Sequence, residues 1–278
     1  MLDKKYLTQE TSTEIDKLGQ PEEIRIRLNK PIEYIYEDKN LFGHIIAKKE
    51  LSTFLELLTD YSWYAIREQL KQGFFTIEGG HRIGVAGTNK SDIGAINIRV
   101  ASQKKGVALP VMPFIRDGDD IFNTFIISPP GEGKTTMLRD MIRILSDGAD
   151  GGCSFKVAVV DERSEIGASY LGMPQNDLGK RCDVLDGIAK TKGMKMLLRS
   201  MSPQIIAVDE LGSLDDYNAA REIINSGIRI LGTIHAKNLQ EVFSKERLPK
   251  VNRYILVRRD KNCRRLYEVY DGEGRKYA

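Results

Sequence analysis

Apolar and polar residues alternate along several short stretches within the first hundred residues. Glu23–Asn29 places isoleucine or leucine at every second position, with Arg25 and Arg27 between them. An alternation of period two predicts strands that bury one face. The same pattern predicts further strands at Ile32–Tyr36, Phe74–Glu78, Arg82–Ala86 and Ala95–Val100.

Residues 48–72 follow a different rhythm, because their apolar side chains recur at intervals of three and four from Leu51 to Leu70. This spacing is typical of helices, and a polar stretch near Thr59–Ser62 predicts a break between two of them. Strands and helices together predict an N-terminal α+β domain over residues 1–104. Residues 105–120, with Pro110, Pro113 and the acidic run Asp117–Asp120, are predicted to be a linker.

From Ile121 onward, short apolar runs alternate with helical patterns. The pattern predicts strands at 121–127, 156–161, 204–209, 229–234 and 253–258, and helices at about 134–146, 188–201, 215–225 and 238–245. Strands separated by helices favour an α/β domain over residues 121–278, with a mainly parallel sheet covered on both faces. Tyr254–Val257 and Arg265–Tyr270 are predicted to form a hairpin at the edge of that sheet.

The amino-acid composition excludes only a few classes of protein and partner. The chain has 278 residues, of which 41% are hydrophobic and 29% charged, as in soluble globular proteins. Its net charge of +3 is too small to indicate a nucleic-acid or membrane partner. The sequence shows neither a transmembrane stretch nor a signal peptide, so we expect a cytosolic protein. Cys153, Cys182 and Cys263 are far apart and odd in number, and are expected to be free thiols.

The most informative segment is Ser-Pro-Pro-Gly-Glu-Gly-Lys-Thr, which begins at Ser128 between a predicted strand and a predicted helix. Glycines at 131 and 133 let backbone N–H groups close around phosphates, Lys134 reaches the terminal phosphates, and the Thr135 hydroxyl ligates Mg²⁺. The helix that follows points its positive end at the anion. The usual motif has glycine where this chain has Ser128, so we interpret the loop as a variant. Its predicted nucleotide-binding residues are Ser128, Pro129, Pro130, Gly131, Glu132, Gly133, Lys134, Thr135 and Thr136.

A second acidic element is expected beside such a loop. Gln204–Val208 is an apolar strand that ends in Asp209 and Glu210. Asp209, with Thr135, is predicted to hold the Mg²⁺ shell, and Glu210 to act as the general base that activates water. An acidic strand end that only faces solvent is the alternative.

Two further strand ends belong at the same edge of a parallel sheet, because ligands bind outside the carboxyl ends of the strands. Val157–Val160 leads into Asp161 and Glu162, where a carboxylate orients water or metal, and Asp161 is predicted to join Thr135 and Asp209 at the metal. The next strand leads into His235, which either senses the γ-phosphate through a hydrogen bond or is a buried core histidine.

Four strings carry a resemblance to a known group of proteins. They are Ser-Pro-Pro-Gly-Glu-Gly-Lys-Thr-Thr from Ser128, Val-Val-Asp-Glu-Arg-Ser-Glu-Ile from Val159, Leu-Leu-Arg-Ser-Met-Ser-Pro-Gln-Ile-Ile-Ala-Val-Asp-Glu-Leu-Gly from Leu197, and Leu-Gly-Thr-Ile-His-Ala from Leu231. In this order they resemble the Walker A, Asp box, Walker B and His box of the secretion-ATPase superfamily, the hexameric motors of type II and type IV secretion. Within it, the chain is most similar to the stage III sporulation protein AA family, and Ile24–Arg27 and Ile96–Arg99 extend the similarity into the first domain.

The resemblance implies a RecA-like P-loop ATPase that uses ATP and Mg²⁺, works as a homo-hexamer, and energises a membrane complex during endospore formation. It implies that Glu162 with Asp161 forms the Asp box, leaving open which is catalytic, and that Glu210 and His235 are catalytic. It also implies that an arginine of the first domain, Arg99 or Arg82, closes over the phosphates. The chain departs from the superfamily at Asp209, where glycine is usual, and its cysteines cannot build the tetracysteine module of many type II motors.

The sequence also allows three other interpretations of the protein's function. Asn89–Asp92 matches a guanine-specificity string, but it precedes the phosphate loop, whereas in GTPases it follows. A nucleic-acid binder gated by ATP is the alternative function; the basic pairs Lys104-Lys105, Arg258-Arg259 and Arg264-Arg265 lack interleaved aromatic residues, so no nucleic acid is expected as partner. A scaffold that only binds nucleotide has no need of Glu210.

Overall fold

A computed structural model describes residues 2–66, 70, 73–87, 92–260 and 265–277, and the chain divides into two compact units. The first unit comprises Met1–Ser102 and Ala168–Asn176, and the second comprises Gln103–Gly167 and Asp177–Ala278. Most of the guanine-like string at residue 89, together with Cys263 and Arg264, lies outside the described residues.

The first unit is a six-stranded antiparallel sheet in the order β3-β2-β1-β6-β5-β4. Its strands are β1 Glu23–Arg27, β2 Pro31–Ile35, β3 Asn40–Ile45, β4 Phe74–Ile77, β5 His81–Ala86 and β6 Ala95–Arg99, and its described residues include helices α1 Gln9–Leu18 and α2 Lys48–Leu58. Side chains such as Ile24, Ile26 and Phe54 are fully buried in its core. The predicted alternation in β1 is confirmed, since Arg25 is exposed between two buried isoleucines.

Two elements of this unit have no clear hydrophobic pattern, and the sequence did not predict them. Helix α1 buries only Thr11 and Ile15. Strand β3 lies at the edge of the sheet and has no buried residue along its length. Elements that bury so little have no need of a regular apolar face, so periodicity cannot detect them. Where the second helix is predicted within 48–72, the described residues show a 3-10 turn at Trp63–Ile66 and helical backbone at Leu70, while residues 67–69 and 71–72 lie outside the described chain.

The second unit contains a seven-stranded sheet in the order β11-β10-β12-β13-β9-β14-β15. Neighbouring strands are parallel except for the last pair, so the predicted mainly parallel sheet and edge hairpin are confirmed. Two short strands, β7 Arg116–Asp117 and β8 Asp120–Ile121, form a separate pair. The strands of the large sheet are β9 Thr124–Ser128, β10 Val157–Asp161, β11 Cys182–Asp186, β12 Ile205–Val208, β13 Arg229–His235, β14 Arg253–Arg259 and β15 Arg265–Asp271. The helices of this unit among the described residues are α3 Met112–Ile115, α4 Lys134–Asp147, α5 Lys190–Ser200, α6 Leu214–Asn225 and α7 Leu239–Phe243.

Helices cover both faces of this sheet. Alternate residues of the central strands pack against α4 on one face and against α5, α6 and α7 on the other. Edge strand β11 was not predicted, because aspartates and partly exposed residues interrupt its short apolar pattern. The burial of Cys182 within β11 raises the pKa of its thiol to about 12. Cys153 and Cys182 are free thiols, as predicted.

The segment predicted to be a linker, residues 105–120, differs from that expectation. Ala108, Val111, Met112 and Ile115 are at most 1% exposed and pack in the core of the second unit. Its prolines stand in the first turns of a 3-10 turn at Leu109–Val111 and of α3, where a missing N–H costs nothing. The prolines and charges of this segment suggested a linker, but they lie among apolar residues that form part of the hydrophobic core. No described helix has the length and apolar character of a membrane span.

Candidate functional site

The phosphate-binding motif forms the turn between β9 and α4. Gly131 and Gly133 have φ angles of +77° and +100°, a region that favours glycine, and Lys134 begins the helix. The loop therefore ends at the N-terminus of a 14-residue helix, where backbone N–H groups and the helix dipole attract anions. Pro129, Pro130 and Glu132 complete the loop, and Thr136 lies in the first turn of α4.

Ser128 is accommodated where the usual motif has glycine. Its side chain is fully buried at the end of β9, and its hydroxyl donates a hydrogen bond of 2.8 Å to the carbonyl of Pro129. The serine is therefore satisfied by a neighbouring backbone group. This departure from the motif leaves the strand, loop and helix intact.

A hydrogen bond joins the phosphate loop to the acidic strand end of β12. The Thr135 hydroxyl donates to Asp209 Oδ2 at 2.9 Å, and the Thr233 hydroxyl donates to Asp209 Oδ1. Lys134, only 9% exposed, lies one residue before Thr135. A hydroxyl and a carboxylate in contact are the hard oxygen donors that suit Mg²⁺, so these side chains fit the predicted metal.

Glu210 follows Asp209 in a strained backbone conformation, with a φ of +50°. Its backbone N–H donates to the Thr233 hydroxyl at 2.7 Å, and the next residue, Leu211, donates to the Thr233 carbonyl at 2.8 Å. The Glu210 side chain is 42% exposed, and its carboxylate lies 3.5 Å from the Arg163 guanidinium. Thr233 thus holds the turn that presents this carboxylate.

His235 ends β13 beside the beginning of the phosphate loop. The parallel register pairs it with Ser128, and its side chain is half-buried. The neighbouring registers pair Val160 with Val208 and Val208 with Gly232. The predicted strand ends of β10, β12 and β13 therefore meet at the same edge as the loop.

Asp161 and Glu162 have separate surroundings. Asp161 is 1% exposed, and its two oxygens accept hydrogen bonds of 2.7–3.0 Å from the backbone N–H groups of residues 165, 166 and 167. Burial raises the pKa of Asp161 in spite of these donors. Glu162 instead forms an ion pair of 2.6 Å with Lys190, the first residue of α5. The metal-binding role predicted for Asp161 stays a prediction, and here its carboxylate organises the loop 163–167.

Two residues that the sequence did not assign also shape the site. One is Thr233, whose hydroxyl bonds the Asp209 carboxylate and the Glu210 backbone. Arg139 of α4 donates to the carbonyls of Glu165 and Ile166 at 2.6 and 2.9 Å. Burial lowers the pKa of Arg139, while Asp161, Asp209 and Glu165 oppose that effect. The position of Thr233 within the predicted His box was a weak sequence signal for it, and the only signal for Arg139 was its position one turn after the phosphate loop.

The predicted arginines of the first unit are neighbours within their own sheet. The antiparallel register pairs Arg82 of β5 with Arg99 of β6, and the Arg82 guanidinium lies 3.6 Å from the centroid of the Phe74 ring. Their role at a nucleotide stays a prediction.

Solved structures with a similar fold include an ATPase and a pilus retraction motor. The Legionella pneumophila ATPase DotB matches with a TM-score of 0.65 and 19% identity, covering 94% of this chain and 79% of that one. The pilus retraction motor PilT, solved with bound ADP, matches with a TM-score of 0.65 and 15% identity, covering 94% and 81%. These similarities establish the fold, an N-terminal β-rich domain followed by a mixed α/β domain.

Sequence comparison is more specific. Stage III sporulation protein AA of Bacillus subtilis (strain 168) is 36% identical over 269 residues, which are 91% of this chain and 87% of that protein. The uncharacterised protein ycf45 of Cyanidium caldarium is 30% identical over 162 residues, 57% of this chain and 46% of that protein. The family described as "Sporulation stage III, protein AA" matches residues 3–277. The chain therefore belongs to the sporulation stage III protein AA family.

Proposed function

We propose that this protein binds ATP together with Mg²⁺ and hydrolyses it. The observation that carries the proposal is the hydrogen bond between Thr135 and Asp209, because it brings a phosphate loop and an acidic strand end into one site. Glu210, the next residue, presents a partly exposed carboxylate at the same edge of the sheet. A phosphate cradle, a metal-binding pair and a base are the parts that nucleotide hydrolysis requires.

Each side chain has a distinct task in this proposal. Backbone N–H groups of the loop and the Lys134 ammonium bind the phosphates. Thr135 and Asp209 would hold Mg²⁺, which when bound neutralises charge on the phosphate oxygens. Glu210 accepts a proton from the attacking water. The Thr233 hydroxyl accepts a hydrogen bond from the Glu210 backbone N–H and so fixes the position of this residue.

The remaining predicted residues have supporting roles in this proposal. His235, next to Ser128 in the register, donates a hydrogen bond to the terminal phosphate. Glu162 orders the neighbouring solvent and is held by Lys190. Arg99 supplies a cation that closes on the nucleotide.

The experiment compares wild-type ATPase activity with that of Lys134→Ala and Glu210→Gln. Lys134→Ala removes a charge-assisted hydrogen bond and is expected to weaken nucleotide affinity about 10- to 100-fold. Glu210→Gln keeps the shape of the side chain but not its basicity, so binding persists while turnover falls about 10²- to 10⁴-fold. Lys192→Ala and Glu222→Gln, at exposed positions on α5 and α6, are the matched controls. Wild-type turnover in either site variant would overturn the assignment.

We also propose that the ATPase works at the cytosolic face of a membrane and energises a secretion-like complex during endospore formation. Membership in a sporulation family and a fold shared with a pilus retraction motor support this. A fluorescent fusion is expected to concentrate at the membrane of sporulating cells, and a deletion to reduce spore yield. A fusion that stays diffuse throughout sporulation would contradict the location.

A further inference from the structure

Arg265 lies against the phosphate loop. If Gly133 carried a Cβ, that atom would lie 3.1 Å from the Arg265 Nε and 3.3 Å from its Nη2. Gly133 is the residue directly before Lys134, at the point where the loop becomes helix α4. The guanidinium of Arg265 therefore packs on the backbone of the anion-binding turn.

The sheet topology explains this position. Strand β14 runs parallel to β9, with Leu256 beside Ile127, so both strands end at the edge where the phosphate loop begins. Strand β15 is antiparallel to β14 and starts at that edge, which puts its first residue, Arg265, there. The hairpin thus brings a cation to the loop from the far end of the chain.

Two arginines lie side by side at this end of the hairpin. Arg265 and Arg259 are direct cross-strand neighbours, an arrangement in which like charges repel. None of the ion pairs among the described residues includes either arginine. Arg259 is exposed and Arg265 is half-buried. Two unpaired guanidinium groups next to an anion-binding loop are suited to a polyanionic ligand.

We propose that Arg265 contacts the phosphates of a nucleoside di- or triphosphate bound in the loop Ser128–Thr135, a contact that rests on the proposed nucleotide-binding function. Its planar guanidinium presents a fork of N–H donors that matches phosphate oxygens, so it binds as a second cation beside Lys134. The contact is supplied by the same chain, and it adds to the nucleotide-binding residues that the sequence motif predicts.

The test measures equilibrium binding of fluorescent ATP, ADP and AMP analogues to the full-length wild type, Arg265→Ala and Arg265→Lys. One charge-assisted contact predicts that Arg265→Ala weakens ATP and ADP binding about 10-fold or more. AMP, which lacks the β- and γ-phosphates, is expected to change less, and Arg265→Lys to restore part of the affinity for ATP. Arg275→Ala is the matched control, because it removes an exposed arginine near the other end of β15.

The outcomes separate this inference from the proposed function. If the wild type binds ATP and Arg265→Ala binds it equally well, the contact is wrong while nucleotide binding stands. If affinity for all three nucleotides falls equally and the melting temperature falls as well, Arg265 only supports the loop, and the phosphate contact is again wrong. If the wild type binds none of the nucleotides, the proposed function fails, and this contact fails with it.

Discussion

Two buried side chains, Thr233 and Asp161, do most to arrange the edge of the second unit that carries the candidate site. Thr233 bonds the Asp209 carboxylate and the Glu210 backbone through one hydroxyl. Asp161 caps three successive N–H groups of the loop 163–167, whose carbonyls Arg139 also binds. Both side chains form hydrogen bonds to backbone groups, and these bonds fix the positions of the neighbouring residues.

The surroundings of Asp161 lead to a prediction that distinguishes a structural from a metal-binding role. In Asp161→Asn the amide nitrogen cannot accept a hydrogen bond, so at least one buried N–H loses its partner, at a cost of about 1–3 kcal/mol. We expect a lower melting temperature and faster hydrogen exchange at residues 165–167. The Mg²⁺ concentration for half-maximal ATPase activity should remain unchanged. An unchanged melting temperature with a raised Mg²⁺ requirement would instead favour the metal-binding role.

At the scale of elements, a histidine connects three pieces of the first unit. His44 on edge strand β3 lies 2.8 Å from Glu50 of α2 through Nε2, and 3.2 and 3.8 Å from Glu14 and Glu10 of α1 through Nδ1. Tyr34 of β2 donates to Glu14 at 2.6 Å. Because β3 and α1 bury few apolar side chains, these polar contacts stabilise two elements that contribute little to the hydrophobic core.

This cluster predicts a pH-dependent stability of the first unit. Burial acts to lower the pKa of His44, but hydrogen bonds to Glu50 and Glu14 outweigh it, and the net pKa is raised. The unfolded value is about 6.5, so the stabilisation is fully present below that pH and is lost as pH rises through the folded pKa. The denaturant midpoint, followed by fluorescence of Trp63, the only tryptophan in the sequence, should fall between pH 6 and pH 9.

His44→Gln is the matching variant, because glutamine retains hydrogen-bonding groups but does not titrate. We expect its midpoint to change little over the same pH range and to lie below that of the wild type at pH 6. An equal slope in both proteins would assign the pH dependence to other groups.

At the scale of the whole molecule, the first unit exposes several large apolar side chains. Tyr61, Tyr64 and Leu171 are 73–84% exposed, and Phe42 and Ile45 are 64% and 68% exposed. Large exposed apolar residues often mark interaction surfaces. We propose that they are shielded in a ring of subunits, as the resemblance to hexameric motors implied.

Sedimentation velocity tests the ring. Glu210→Gln with ATP is expected to form an assembly of about six 31.4 kDa chains, since bound nucleotide is not consumed. Lys134→Ala, which binds nucleotide poorly, is the control and should remain small under the same conditions. A single-chain mass for Glu210→Gln both with and without ATP would refute the ring.

Several features of this protein depend on local chemistry and can be predicted from the order of residues. Glycines at 131 and 133 specify the phosphate turn because few other residues tolerate their backbone conformation. Apolar strands that alternate with helical patterns specify a parallel sheet, and the carboxyl ends of its strands specify the edge that carries Asp209, Glu210 and His235. Residue spacing sufficed because each of these features lies within a single element or at its end.

The residues that meet at that edge from distant parts of the chain could not be predicted without the fold. Strand order puts the hairpin β14–β15 next to β9, and so brings Arg265 to Gly133 across more than a hundred residues. The fold turns the proline-bearing segment at 105–120 into core and gives Asp161 three backbone donors. Such contacts join segments far apart in the chain and depend on how whole elements pack, which no local pattern of apolar and polar residues records.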